Sequence, residues 1–416
     1  MTGGPRKAHY NALGVPAAMA AGRESWTALA RRALPAMRAW RTALHQEPEL
    51  SGEEQRTRDK IVAALGELGI PHRTFDDFPG VVGLIGEGRS GPVVAIRAEM
   101  DGLPVTEATG LPFASRYPGR MHACGHDVHM ASALGAASIL HRNPRAIAGP
   151  VKLLFQPAEE EGTVGGALPL IERGALERPK VDYVVGQHVL PALPLGVVGW
   201  RAGPFMAAAD RFLITVKGRG GHAATPHQGP DAILIASEIV VGLQALVSRV
   251  RDPLDPVVVS VGQIHGGTRN NILPSEVMLE GTVRTVRSAT REAMERALKR
   301  RVRALASSLG ARVRIEYVHG YPALVNPPEA THRVARAVAE ELGRDHVVEV
   351  EHPIMGAEDF ARYLERVPGT FLRLGVGLPG VPASLHSATF APDERSLVYG
   401  AATLCAAVEG LQRGGP

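Results

Sequence analysis

Only Cys124 and Cys405 occur among 416 residues, which excludes a disulfide framework and suits a reducing compartment. A strong excess of one charge is missing too: 46 lysines and arginines face 42 acidic residues, a formal net charge of +4. The one basic cluster, Lys299 to Arg303, lies in a helix-like segment and reads as a solvated helical face, so no nucleic-acid partner is expected. No run approaches the roughly 20 apolar residues of a bilayer span, so no membrane is expected either. Asn11, Gly14 and Pro16 break the Ala-rich stretch behind Arg6 and Lys7, which argues against a signal peptide and for a cytoplasmic location. Internal repeats and low-complexity segments are absent as well. What is present is a globular chain, 45% apolar, long enough for two domains.

From Trp26 to about Gly203, helical and strand patterns alternate. Residues 26–45 and 53–68 read as helices, residues 81–85, 93–97, 151–155 and 183–185 as strands, and residues 128–140 as a helix between them. This is an α/β pattern: a mixed, mostly parallel central sheet with flanking helices. Between Asp210 and Tyr317 the order becomes strand (212–216), helix (231–250), strand (257–264), strand (276–283), helix (291–308), strand (312–317). That βαββαβ order is the ferredoxin-like split layout and predicts an inserted α+β domain. A helix at 331–342, a strand at 371–374 and a helix at 396–411 then return to the first pattern. The predicted division is 1–204, 205–317 and 318–416, the first and last forming one domain.

Chemistry concentrates in Met121-His122-Ala123-Cys124-Gly125-His126-Asp127-Val128-His129. Cys124 and His126 stand two apart in a turn, ahead of a helix that Asp127 is placed to cap. A helix N-terminus favours thiolate over thiol, and metal ligation follows. His122 and His129 read as structural or as supports for ligands. Glu159, Glu160 and Glu161 follow the apolar run 151–155, where the carboxyl end of a strand places ligands; in isolation they also fit a solvated loop. One carboxylate of such a pair can bind metal while its neighbour moves protons. His188 and His386 are expected at two further strand ends. Cys124, His126, Glu160, His188 and His386 are five donors suited to zinc, manganese, cobalt or nickel. Five exceed what one catalytic ion needs, so two divalent ions bridged by the Cys124 thiolate are expected. Cys405, in an Ala-rich helix pattern, reads as a small buried hydrophobe.

These motifs resemble the hippurate hydrolase, N-acyl-L-amino-acid amidohydrolase and auxin-conjugate hydrolase branch of the dinuclear metallopeptidase superfamily. The resemblance runs from about Leu44 to Glu409. Besides the segments above it includes Leu44 to Leu50, Arg97 to Pro104, Gly221 to Ala224, Asn271 to Pro274 and Met355 to Phe360. It implies a zinc-exopeptidase-like fold and an inserted lid that often dimerises. Cys124 would bridge the ions, with His126 and His188 on one and Glu160 and His386 on the other. Glu159 falls at the family's general base. His222 matches a histidine that approaches the scissile carbonyl, in relatives frequently from the partner subunit. Asn271 and Arg284 resemble positions that grip the substrate carboxylate, although Arg284 also fits an ordinary surface arginine. Asp101, Glu99 and Asp127 are expected behind the ligands; Glu99 stands where the family usually has aspartate, either reaching nearer the ions or rearranging their surroundings.

The implied reaction is hydrolysis of the amide bond of a small N-acyl amino acid, with Glu159 deprotonating a metal-activated water. The expected assembly is a homodimer through the lid, with a homotetramer as the further option. Two alternatives stand beside this reading: a dipeptidase or carboxypeptidase of the same superfamily, and a catalytically silent metal-containing protein that binds acyl-amino acids.

Overall fold

Apolar runs with few polar interruptions fold here into strands covered on both sides. The computed structural model describes residues 24–413, so the segment read for a leader lies outside the described residues. An eight-stranded sheet has the order His72–Thr74, Val81–Ile85, Val151–Gln156, Val94–Glu99, Tyr183–Pro194, Gly369–Gly377, Val198–Trp200, Val347–Glu349. Its three central pairings and the Val347–Glu349 edge pairing are parallel, and the remaining three are antiparallel.

Successive residues of these strands divide between two cores, as the two-residue period of a strand requires. Ile96, Leu153, Val185 and Leu372 pack under the helices Trp26–His45, His126–Arg142, Pro328–Leu342 and Ser396–Gln412. Ala95, Leu154, Val184 and Phe371 pack on the other face with Leu170, Phe205 and Phe360. Cys405 is buried in the first of these cores.

A second sheet is wholly antiparallel, in the order Val257–Gly266, Glu276–Thr285, Ala208–Lys217, Arg312–His319. The helices Ala232–Ala245 and Ser288–Ser308 supply its separate core, where Ile235, Ile239, Met294 and Leu298 meet Phe212, Ile214 and Leu279. The mixed α/β fold is as read, and the βαββαβ order is realised between residues 208 and 319.

Three expectations need correction. The helix read over residues 231–250 ends its α-helical part at Ala245 and closes with a π-type turn, Leu246–Val250. The stretch Ala232–Val250 is also long and apolar enough to cross a membrane by length and composition, contrary to the sequence reading. One side of it is the core helix just described, whereas Ile233, Leu234 and Val241 on the other side are 42%, 53% and 70% exposed. Finally, the strand read as 183–185 continues to Pro194, so Gln187 and His188 lie within it instead of beyond its end. Polar residues inside the run mimicked a strand terminus.

Candidate metal centre

Cys124 reaches the centre because the chain turns sharply at Gly125, which caps the helix His126–Arg142 with φ 84°. A Cβ at Gly125 would stand 2.6 Å from Val189 Cγ2, so position and torsion both call for glycine. Asp127 therefore lies in the first turn and is not the cap. Its Oδ2 instead accepts from Arg41 Nε at 2.8 Å and pairs with His45 Nδ1 at 3.0 Å, and none of its hydrogen bonds reaches a predicted ligand. The expected placement of Asp127 behind the ligands is thus replaced by a buried ion cluster with the helix Trp26–His45.

Glu159 and Glu160 stand on a short 3-10 turn after the strand Val151–Gln156, preceded by Ala158 in the left-handed region at φ 56°. His386, on the loop after the strand Gly369–Gly377, is left-handed as well at φ 62°. Such torsions cost a non-glycine residue on the order of 1 kcal/mol and collect where side chains must be aimed.

Two of the groups of donor atoms drawn within 4.8 Å share Cys124: Cys124 with His126 and His188, and Cys124 with Glu160 and His386; a third joins His126, Glu159 and Glu160. Cys124 Sγ is 3.3 Å from His188 Nε2, and Glu160 Oε1 is 3.3 Å from His386 Nε2 and 4.0 Å from His126 Nε2. All five predicted ligands are thus brought together around one thiol. His126 Nδ1 donates to the Asp101 carbonyl at 2.9 Å and lies 3.1 Å from Asp101 Oδ1; His188 Nδ1 donates to the Val189 carbonyl at 2.7 Å. Those bonds keep a proton on Nδ1 of each ring, so that each Nε2 faces the centre and would offer its lone pair to a bound cation. Buried His126 Nε2 has no hydrogen-bond partner among the described residues, and Glu160 Oε1 meets only the His386 and His126 rings. Nitrogen and carboxylate donors converging in this way beside a thiol are what a divalent cation satisfies, so the donor set fits a pair of borderline metal ions.

Asp101 does stand behind the ligands, since its Oδ2 also accepts from Glu160 N–H and Ser51 Oγ, each at 2.8 Å. Glu99 binds Arg97 and holds His129 Nδ1 at 2.9 Å. His129 Nε2 accepts from Val189 N–H at 2.9 Å, so Glu99 acts through His129 on the strand segment that carries His188. His122 is buried with neither ring nitrogen bonded among the described residues.

The electrostatics oppose the expected effect of the helix terminus. Burial first, then the Glu160 and Glu159 carboxylates, push the Cys124 thiol well above its ordinary range. Burial, Glu358, Glu160 and Asp359 likewise raise Glu159 far above a normal carboxylate. Burial disfavours charge on His126, but Asp101, Glu99 and Glu160 outweigh it and lift the imidazole to about 10. Burial also raises Glu160, yet His386 and His126 overcome it and hold that carboxylate below its usual value. A surplus of buried negative charge of this kind is compensated by divalent cations, which stabilise thiolate and carboxylate alike.

A cavity of about 360 Å³ opens over the centre, lined by Cys124, Glu159, Glu160, His188 and His386 and, from the second sheet, by Arg284. His222 and Asn271 do not line it. Both are exposed on the short pair Gly221–His222 and Ile272–Leu273 and its flank, where Ala223 N–H donates to the Asn271 carbonyl at 3.0 Å. Sequence reasoning gave no role to Tyr321, whose hydroxyl donates to the Glu159 carbonyl at 2.6 Å and accepts from Gly162 N–H at 2.9 Å. It also gave none to Arg373, a buried arginine in the cavity wall. A charged residue inside the apolar run Phe371 to Val376 was the available signal for that one.

The model of Peptidase family M20/M25/M40 matches residues 95–410. Thermostable carboxypeptidase 1 of Saccharolobus solfataricus is 40% identical over 87% of this chain and 91% of its own. N-acetyl-L-cysteine deacetylase of Bacillus subtilis is 40% identical over 86% of this chain and 84% of its own. Among solved structures, a Bacillus subtilis protein described as a dinuclear metal binding peptidase from the M20 family superposes with a TM-score of 0.79, at 33% identity over 92% of this chain and 99% of that one.

Proposed function

This chain belongs to peptidase family M20/M25/M40, whose relatives are named as hydrolases, and from that premise we propose that it hydrolyses the amide bond of N-acyl amino acids, hippurate-like or N-acetylated. The observation that carries the reading is the pair of donor groups sharing Cys124, with buried Glu159 on the wall of the same cavity. Cys124, His126 and His188 would hold one divalent ion, and Cys124, Glu160 and His386 the other. When bound, such ions lower the pKa of water towards 7 and polarise a carbonyl.

Glu159 accepts the proton of the attacking water and returns it to the departing nitrogen, the service an amide requires because its amine is a poor leaving group. Its shielding from solvent suits it to carry a proton between the two steps, and Tyr321 fixes the turn from which it projects. Arg284 reaches the cavity from the second sheet and receives the substrate carboxylate. The βαββαβ unit then acts as a lid, bringing that grip and the metal ligands together on closure.

His222 and Asn271 serve a neighbouring subunit in this reading, which accounts for their exposure away from their own cavity. The exposed side of Ala232–Ala245 and the unpaired edge strand Val257–Gly266 support association through the same unit. A homodimer in the cytoplasm is the proposed state, with a tetramer as its extension.

The carboxypeptidase reading is kept because the Saccharolobus relative carries that name. A metal-reconstituted assay separates the two: turnover of hippurate or N-acetyl amino acids without cleavage of free dipeptides supports the proposal, and the reverse pattern overturns it. The silent-binder alternative requires a missing base or ligand, and Glu159 and all five donors are at the centre.

A further inference from the structure

Of the three arginines buried in the main body of the protein, Arg41 and Arg97 are paired with carboxylates and Arg373 is not. Arg97 is 1% exposed and fully engaged: it pairs with Glu99, with Glu358 at 3.0 Å and Asp359 at 2.5 Å, and donates to Gln156 at 2.9 Å. Arg373 is 3% exposed, yet no carboxylate lies within 4.0 Å of it among the described residues. Among the described residues its one hydrogen bond goes to Met206 Sδ, a weak acceptor, and its Nε has no partner. Phe205 and Phe371 flank the guanidinium at 5.6 and 5.5 Å, which steadies its plane but satisfies none of its donors.

The strand register aims this side chain. Arg373 pairs with His188 across two parallel strands, so both side chains leave the same face of the sheet, and both line the cavity over the metal centre. Glu358 lines the cavity too, but its Oε1 is already held by Arg97 and by Phe360 N–H. An unpaired guanidinium held out of water on a cavity wall is a costly arrangement that an incoming carboxylate relieves. Arg284 enters the same cavity from the other sheet, so the cavity presents two cationic receptors where a mono-anionic substrate needs one.

We propose that Arg373 is a second carboxylate receptor, selecting N-acyl amino acids that carry a further carboxylate besides the one received by Arg284. The inference rests on the amidohydrolase reading above. The further carboxylate belongs either to the amino-acid side chain or to a dicarboxylic acyl group, and matched substrates distinguish these sources.

The test compares metal-reconstituted wild type, Arg373→Met and Arg373→Lys on N-acetyl-leucine, N-acetyl-glutamate and N-succinyl-leucine. The wild type is expected to favour one dianionic substrate over N-acetyl-leucine by about tenfold or more in kcat/KM, chiefly through KM. Arg373→Met removes that preference, because it lowers kcat/KM on the favoured dianionic substrate about tenfold or more beyond any change on N-acetyl-leucine, and it retains both metal ions; Arg373→Lys, which keeps the charge without the fork, retains part of the preference. Turnover of all three substrates by the wild type without preference overturns this inference alone, and so does an equal loss on all three or a loss of metal in Arg373→Met, which marks a supporting role for the centre. Should Arg373→Met fail to fold, the wild-type ratio and the lysine variant decide. No turnover of any substrate overturns the amidohydrolase reading and this inference with it.

Discussion

Cys124 shows how a residue's role depends on what is gathered around it. Two carboxylates and burial oppose its ionisation, so thiolate at this position requires cations, and the donors needed to hold them are adjacent. Cys124→Ala is accordingly expected to lose bound metal, measured by elemental analysis after dialysis; full occupancy in that variant excludes the thiol as a ligand. Glu159 presents the complementary case, since it sits with the ligands without being needed as one. Glu159→Gln should retain both ions and lose turnover by roughly 10²- to 10⁴-fold, the usual contribution of a positioned base. Elemental analysis paired with kcat checks this, and near-normal turnover removes Glu159 from the chemistry. For Arg284→Ala, KM should rise about tenfold or more with kcat little changed, as expected when a ground-state carboxylate contact is lost.

At the scale of elements, the helix Trp26–His45 is tied to the helix that carries His126 through His45, Arg41 and Asp127. Burial disfavours charged His45, but Asp127 and Glu107 outweigh it and raise its pKa from 6.5 to about 9. A raised folded-state pKa contributes stability that is complete below the unfolded value and is lost as pH rises through the folded one. Thermal unfolding should therefore show wild-type stability falling between about pH 6.5 and 9. His45→Gln, starting less stable, should show a flatter profile, and parallel profiles contradict the assignment.

Long periodic elements were legible in the sequence because burial imposes its period directly. The helix Trp26–His45 and the strand Val81–Ile85 have the expected bounds, and the βαββαβ order was readable throughout. Three-residue strands such as Val198–Trp200 and Val347–Glu349 were not, since they carry too few residues to show a period. The five donors were legible as a set because each lies next to a strong local signal. Arg373 and Tyr321 were not, because their significance arises only where distant segments meet. The Asp127 cap was misread for a local reason: Gly125 ends the turn two residues earlier than a capping side chain would.

Across the whole molecule, the exposure of His222 and Asn271 makes the proposed assembly part of the chemistry. Light scattering should give a dimer, and monomer alone at assay concentration rejects it. Co-refolding Glu159→Gln with His222→Ala should recover about one-quarter of wild-type activity, the statistical expectation for one intact site in the half of dimers that are mixed. No recovery above the separate variants places His222 outside the shared site.

The central claim is that two cations meet at Cys124. Anomalous diffraction from crystals of the reconstituted protein, collected at the absorption edge of the added metal, tests it most directly. The account predicts two peaks roughly 3.5–4 Å apart on either side of the Cys124 sulfur, one beside His126 and His188 and the other beside Glu160 and His386. A single peak, or a pair away from that sulfur, contradicts it.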